Sequence, residues 1–267
     1  MYTAPFRYLR AATLSDAEKL FADNADAKYL AGGHTLIPTM KQRLATPATL
    51  IDISRIASLA FIRRDASKLV IGAGTRHADV AASPEVKGAI PALAILARLI
   101  GDPAVRHKGT LGGSVANNDP AADYPAALSA LGATVKTTRR TIAADEFFTG
   151  MFETALAEGE IITEVAFPVP RRAGYAKFPN PASRYALVGV FVAQFDGSVR
   201  VAVTGAASCV FRVPEMERAL ATSFMPESVA GIAIPSDGLN SDLFASAEYR
   251  AHLVTVMAKR AVAAALG

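Results

Sequence analysis

Two glycine pairs stand among small polar residues: Ala31-Gly32-Gly33-His34-Thr35 and Thr110-Leu111-Gly112-Gly113-Ser114. The second leads into Asn117-Asn118-Asp119-Pro120-Ala121-Ala122-Asp123-Tyr124-Pro125. Glycine lacks a Cβ, so it adopts positive φ and lets a ligand approach the backbone closely. A strand that ends in Gly-Gly and enters a helix at Thr35 points N–H groups outward at the positive end of a helix dipole, a setting suited to phosphate. For a lone Gly-Gly the alternative is a tight strand-to-helix turn with no ligand. In the second segment Thr110, Ser114 and Asn117 supply donors, Gly112 and Gly113 allow close approach, and Asp123 offers an acceptor suited to ribose hydroxyls. Asp119-Pro120 also reads as a turn, and Asp123 as a favourable charge in a helix's first turn. Acting together, the two segments would hold a large phosphate-bearing ligand from both ends, the chemistry of a nucleotide-cofactor carrier.

Other phosphate and catalytic patterns fit less well. Gly72-Ala73-Gly74-Thr75-Arg76-His77 comes nearest to the dinucleotide fingerprint, but His77 takes the third glycine position and no βαβ frame surrounds it. Neither glycine pair ends in the Gly-Lys-Ser/Thr of a P-loop. His34, His77, His107 and His252 show no metal-ligand spacing, so no metal site is expected. Arg106-His107-Lys108 reads as a phosphate helper or a solvated basic turn. Ser208-Cys209 lacks a nucleophile elbow and reads as a small buried thiol. Asp145-Glu146 reads as helix-start charge.

The elements that must position the glycine pairs follow from periodicity and punctuation. Phe6–Ala11 reads as a strand, Ser15 with Glu18 as a capping box, and Ala17, Leu20 and Phe21 as the apolar face of the helix it opens. Lys28–Ala31 is a short strand, Thr35 caps a helix to about Leu44, and Thr49–Ile53 is a third strand. This βαβαβ order predicts a small parallel sheet. Strands at Ala60–Arg64 and Lys68–Ala73, helices at Pro91–Ile100 and Ala121–Ala130, and strands at Ala133–Thr138 and Glu160–Phe167 make a second, mixed unit. Prolines among basic residues over Pro168–Pro181 mark a boundary. Beyond it Ala186–Phe195 and Ser198–Thr204 form a hairpin through Asp196-Gly197, and Ser246–Leu266 has helical spacing, with Leu253, Val254, Met257, Ala258 and Ala261 on one face. The expected units are residues 1–56, 57–170 and 171–267.

Composition bounds the function. In 267 residues, 51% are hydrophobic and 19% charged, the mark of a folded chain with a sizeable core. The net charge of +4 arises from 28 basic and 24 acidic residues with no long like-charge run, which argues against nucleic-acid binding. Cys209 is the only cysteine, which excludes an internal disulfide and a cysteine-ligated iron–sulfur cluster within this chain and fits a reducing compartment. Met1–Arg7 lacks a signal layout, and no run approaches the ~20 apolar residues of a membrane span, so a cytoplasmic protein is expected.

With both glycine segments, Asp119-Pro120-Ala121-Ala122-Asp123, Glu160-Ile161-Ile162-Thr163-Glu164 with Pro168, Lys177-Phe178 and Ser246-Ala247-Glu248-Tyr249-Arg250, the chain resembles the FAD-binding medium subunits of molybdenum hydroxylases, the carbon monoxide dehydrogenase and xanthine dehydrogenase flavoproteins. The resemblance covers nearly the whole chain. It implies an α+β, two-lobed FAD-binding fold of the PCMH/vanillyl-alcohol-oxidase type, followed by a C-terminal antiparallel sheet with helices. It implies FAD contacts from Ala31, Gly32, Gly33, His34 and Thr35 on the pyrophosphate, and a second clamp of Thr110, Gly112, Gly113, Ser114 and Asn117. Asp123 would meet a ribose hydroxyl, Ile162 and Ile100 would pack on flat rings, and Lys177 would stand near the isoalloxazine edge, where a cation favours reduced flavin. Lys177 reads equally as a solvated strand residue. The implied partners are a molybdopterin-containing large subunit and a 2Fe-2S small subunit, in a dimer of heterotrimers. In that setting FAD accepts electrons from iron–sulfur clusters and passes them to quinone, NAD or oxygen. One departure stands out: Pro179-Asn180-Pro181-Ala182-Ser183-Arg184-Tyr185 has no acidic residue where the family often has one, which leaves the acceptor open. Two other readings remain at this point, a free-standing FAD-dependent oxidase and a non-enzymatic assembly module.

Overall fold

Strand and helix alternate first around a small parallel sheet. The computed structural model describes residues 2–267. β1 (Arg7–Arg10), α1 (Leu14–Ala22), β2 (Ala27–Leu30), α2 (Leu36–Lys41) and β3 (Thr49–Asp52) build a sheet ordered β1-β3-β2 with both pairings parallel. The cap of α1 is Thr13, not Ser15. Its side chain accepts from the Asp16 amide, while Asp16 accepts from the Ala12 amide at 2.8 Å, so the reciprocal box sits one half-turn earlier. Thr35 precedes α2 but makes no side-chain cap, and the helix stops at Lys41, before Arg43 with φ 63°.

The second unit is a five-stranded antiparallel sheet with helices on one face. β4 (Ile62–Asp65) and β5 (Lys68–Gly72) are followed by α3 (His77–Ala82), α4 (Pro84–Ala89), α5 (Pro91–Arg98), α6 (Pro103–Arg106), α7 (Leu111–Asn117) and α8 (Tyr124–Leu131). β6 (Thr134–Thr137), β7 (Thr141–Ala143), α9 (Ala144–Phe147), β8 (Phe148–Gly150), β9 (Glu153–Thr154) and β10 (Ile162–Pro168) complete it, in the order β4-β5-β10-β6-β7 with β8-β9 apart. Leu69, Ile71, Val135, Val165 and Phe167 pack against Leu93, Leu96 and Leu128 in one core. The second glycine segment, expected as a loop, is the first turn of α7: Thr110 Oγ1 accepts from the Gly113 amide at 3.1 Å, and that cap offsets the poor helix propensity of two glycines.

β11 (Arg172–Pro179), β12 (Ala186–Phe195), β13 (Ser198–Thr204) and β14 (Phe211–Arg212) form an antiparallel sheet in chain order, with α10 (Pro214–Thr222) and α11 (Ala247–Leu266) following. The hairpin turns at Asp196-Gly197, as the sequence predicts. The proline-bearing stretch expected as a boundary carries β11. Proline is tolerated there because β11 is an edge strand and Pro179 falls where the register shifts. β12 and β13 are buried on both faces. Val188, Val190, Val192, Val201 and Val203 meet Leu253, Val254, Met257 and Ala258 of α11, while Phe191, Ala193 and Ala202 join the core around α8. That explains why α8 is small-residue-rich and buried at every position: it lies between two sheets. Among the described residues no helix is long and apolar enough to cross a membrane.

Candidate cofactor site

The two glycine segments meet. Gly33, at the turn after β2, has φ +71°. Gly32 lies so close to the turn between α6 and α7 that a Cβ there would stand 2.2 Å from the Lys108 carbonyl oxygen. Gly112 is seated on Ala73, where a Cβ would fall 2.5 Å from the Ala73 Cβ. The Gly-Ala-Gly run that mimics a dinucleotide fingerprint is therefore a platform for α7. Both segments line one cavity of about 660 Å³, inside the ~300–1,000 Å³ range of small-molecule sites.

Donors on the two sides differ. Among the described residues none accepts a hydrogen bond from the amides of Gly32, Gly33, His34 or Thr35. The first-turn amides of α7 are spent: Leu111 N donates to Thr75 O at 3.0 Å, Gly112 N to Ala73 O at 2.8 Å and Gly113 N to Thr110 Oγ1. Open backbone donors thus come from residues 32–35, whereas α7 offers its dipole, the bare Gly113 surface and the Ser114 and Asn117 side chains, all on the cavity wall with Thr110 and Ala31. Ile100 and Ile162 also line the cavity.

Lys177 departs from expectation. It does not line the cavity and is not solvated. Its side chain is 3% exposed, and the ammonium donates to Asp123 Oδ1 at 2.9 Å, Asp123 Oδ2 at 3.0 Å and the Leu99 carbonyl at 3.0 Å. The Tyr175 hydroxyl donates to the same carboxylate. The reason is Asp123 itself: a carboxylate buried at the start of α8 must be paired, and the cation of β11 faces it. Burial pushes Asp123 up, while Lys177 and Tyr175 favour its charged form. Asp123 still touches the cavity, but most of its acceptor capacity serves Lys177 and Tyr175, which leaves little for a ribose hydroxyl.

A match to the family described as FAD binding domain in molybdopterin dehydrogenase spans residues 4–170, most of the chain. This chain belongs to that family. It is 37% identical to the carbon monoxide dehydrogenase medium chain of Hydrogenophaga pseudoflava over 97% of this chain and 96% of that one. The nicotine 6-hydroxylase medium subunit of Paenarthrobacter nicotinovorans is 36% identical over 96% and 95% of the two chains. Among solved structures, the reconstituted CO dehydrogenase from Oligotropha carboxidovorans superposes with a TM-score of 0.89 at 33% identity, covering 99% of both chains. The fold is the α+β, FAD-binding PCMH type of these flavoprotein subunits, FAD is the cofactor, and the chain is a subunit of an oxidoreductase.

The family's cofactor fits the site. Unpaired amides at residues 32–35 beside bare glycine surfaces suit a diphosphate, and a Cβ at Gly32 or Gly112 would force the flanking segments apart. Several cavity residues escaped the sequence reading. His77 is 4% exposed on the wall; burial, with His34 and Arg106 nearby, lowers it to about 4, so it is neutral. It stood in the sequence as the wrong residue for a fingerprint and as one of four histidines without metal-ligand spacing. Burial would raise Glu160, yet hydrogen bonds from Arg140, Thr137 and the Ala157 amide hold it at about 2. Arg184 and Tyr185 reach the wall from the segment after β11 and carry no motif of their own.

Proposed function

We propose that the chain is the FAD-carrying electron-transfer subunit of a cytoplasmic, three-component molybdenum hydroxylase, working with a molybdopterin-containing large subunit and a 2Fe-2S small subunit in a dimer of heterotrimers. The observation that carries this reading is the convergence of residues 31–35 and 110–117 on a single cavity, with free amides on one side and a helix start on the other. Bound FAD would supply the redox chemistry of a relay between iron–sulfur clusters and quinone, NAD or oxygen.

This chain's own residues bind and orient. Gly32, Gly33, His34 and Thr35 take the pyrophosphate through backbone amides, and Thr110, Gly112, Gly113, Ser114 and Asn117 close the opposite side. Ile100 and Ile162 pack on flat rings and exclude water there. Asp123 holds Lys177, so that cation acts through the protein and not by direct contact. Buried and neutral, His77 keeps the wall beneath the second segment uncharged. Co-expression with partner subunits, followed by partner identification and flavin quantitation, tests the reading. One FAD per chain and co-purification of large and small subunits support it, while robust substrate turnover by the isolated chain would favour a free-standing oxidase instead.

A further inference from the structure

The C-terminal end of α5 turns sharply at Leu99-Ile100-Gly101, where Gly101 has φ +49°. A helix end leaves carbonyls without intrahelical partners and concentrates negative dipole. Here three successive carbonyls are each met by a cation from elsewhere. Lys177 Nζ, on β11, donates to Leu99 O at 3.0 Å, and Arg106 Nη1, at the end of α6, donates to Ile100 O and Gly101 O at 3.0 Å each. Lys177 is in turn fixed by Asp123 at the start of α8. Four elements therefore converge on one corner, and the corner's Ile100 and Gly101 form cavity wall. Arg106 does not itself line the cavity, nor does Lys177, so neither has a ligand to hold directly.

We infer that Arg106 and Lys177 are positioning residues, a two-cation clamp that fixes the Ile100 corner as a rigid seat for the flat ring of FAD. The inference rests on the proposal that FAD occupies the cavity with a ring at Ile100. Cutting the clamp frees the corner to rotate about Gly101, loosens the ring's seat and leaves the pyrophosphate contacts of residues 32–35 in place.

The test uses the full chain loaded with FAD, comparing wild type, Arg106→Leu, the double variant Lys177→Met/Asp123→Asn, and Arg200→Leu as a control. Arg200 bonds the Ser129 carbonyl and Asp145, and none of the three lines the cavity or bonds the corner carbonyls. The double variant removes both buried charges together, so it folds without an unpaired ion even where Lys177→Met alone would not. Two quantities are read: the FAD dissociation rate and the visible circular dichroism of the bound flavin, which reports how the ring is seated. Both clamp variants are expected to release FAD about tenfold faster, the size of one charge-assisted hydrogen bond, with altered visible dichroism, while Arg200→Leu changes neither even where it lowers Tm. Wild-type release and dichroism in Arg106→Leu would overturn the clamp. A wild-type chain that takes up no FAD at all would overturn the cavity assignment, and the clamp with it.

Discussion

At the residue scale the site depends on atoms that are missing. A side chain at Gly32 would strike the Lys108 carbonyl, a backbone atom that cannot swing aside. Gly32→Val is expected to weaken FAD binding by tenfold or more while far-ultraviolet dichroism stays native, since over-packing of this kind costs about 1–3 kcal/mol locally; fluorescence titration with FAD measures it. His77 gives a second prediction. Its ordinary value is 6.5 and its folded value about 4. Between those pH values the unfolded chain takes up a proton that the folded chain refuses, so stability falls as pH drops through that window, by on the order of 3 kcal/mol in full. Urea melts from pH 7 to 4.5 should show this slope, and His77→Gln should flatten it. Glu160, depressed from 4.5 to about 2, acts in a separate window: its contribution is complete above pH 4.5 and is lost as pH falls toward 2.

At the element scale, one buried cation adds a polar tie between α11 and the C-terminal sheet to the apolar packing of Leu253, Val254, Met257 and Ala258. Arg250 is 3% exposed and donates to the Leu187 and Gly205 carbonyls at 2.7 and 3.0 Å and to Asp242 at 2.7 Å. Arg250→Met strands the Leu187 carbonyl, leaves the Gly205 carbonyl only a 3.5 Å bond from Asn240 and is expected to cost about 3 kcal/mol, seen as a drop in Tm of roughly 5 °C or more. The same scale shows what local sequence can encode. The β1–β3 parallel unit, the Asp196-Gly197 hairpin and the apolar stripe of α11 were legible, because each rests on periodicity or turn chemistry within a short window. α7 was not legible as a helix: its glycines argue against one, and only the Thr110 cap and the seat on Ala73 make the turn worthwhile. The strand at 172–179 was hidden by Pro179 and the prolines that flank it; Pro179 is tolerated because β11 is at an edge. Site residues divide the same way. The two glycine segments declared themselves by composition, whereas the burial of Lys177 against Asp123 depends on a contact between β11 and α8 that no spacing reveals.

At the scale of the whole molecule, the small parallel sheet, the antiparallel sheet and the C-terminal layer each contribute to the surroundings of one cavity, the first through residues 31–35, the second through α7, Ile100 and Ile162, and the third through Lys177 and the segment bearing Tyr185. A ligand bound there bridges the units, so FAD at a hundred times its Kd should stabilise the chain by about 2.7 kcal/mol, and Tm should go on rising with the logarithm of FAD concentration in a thermal-shift series. Whether residues 31–35 and 110–117 grip FAD is tested by a stoichiometric FAD titration of the purified chain by calorimetry, run beside Gly32→Val. One FAD per wild-type chain and greatly weakened binding in the variant are expected; a wild-type chain that binds no FAD, or a variant that binds it as tightly as wild type, would show that the cavity is not the FAD site.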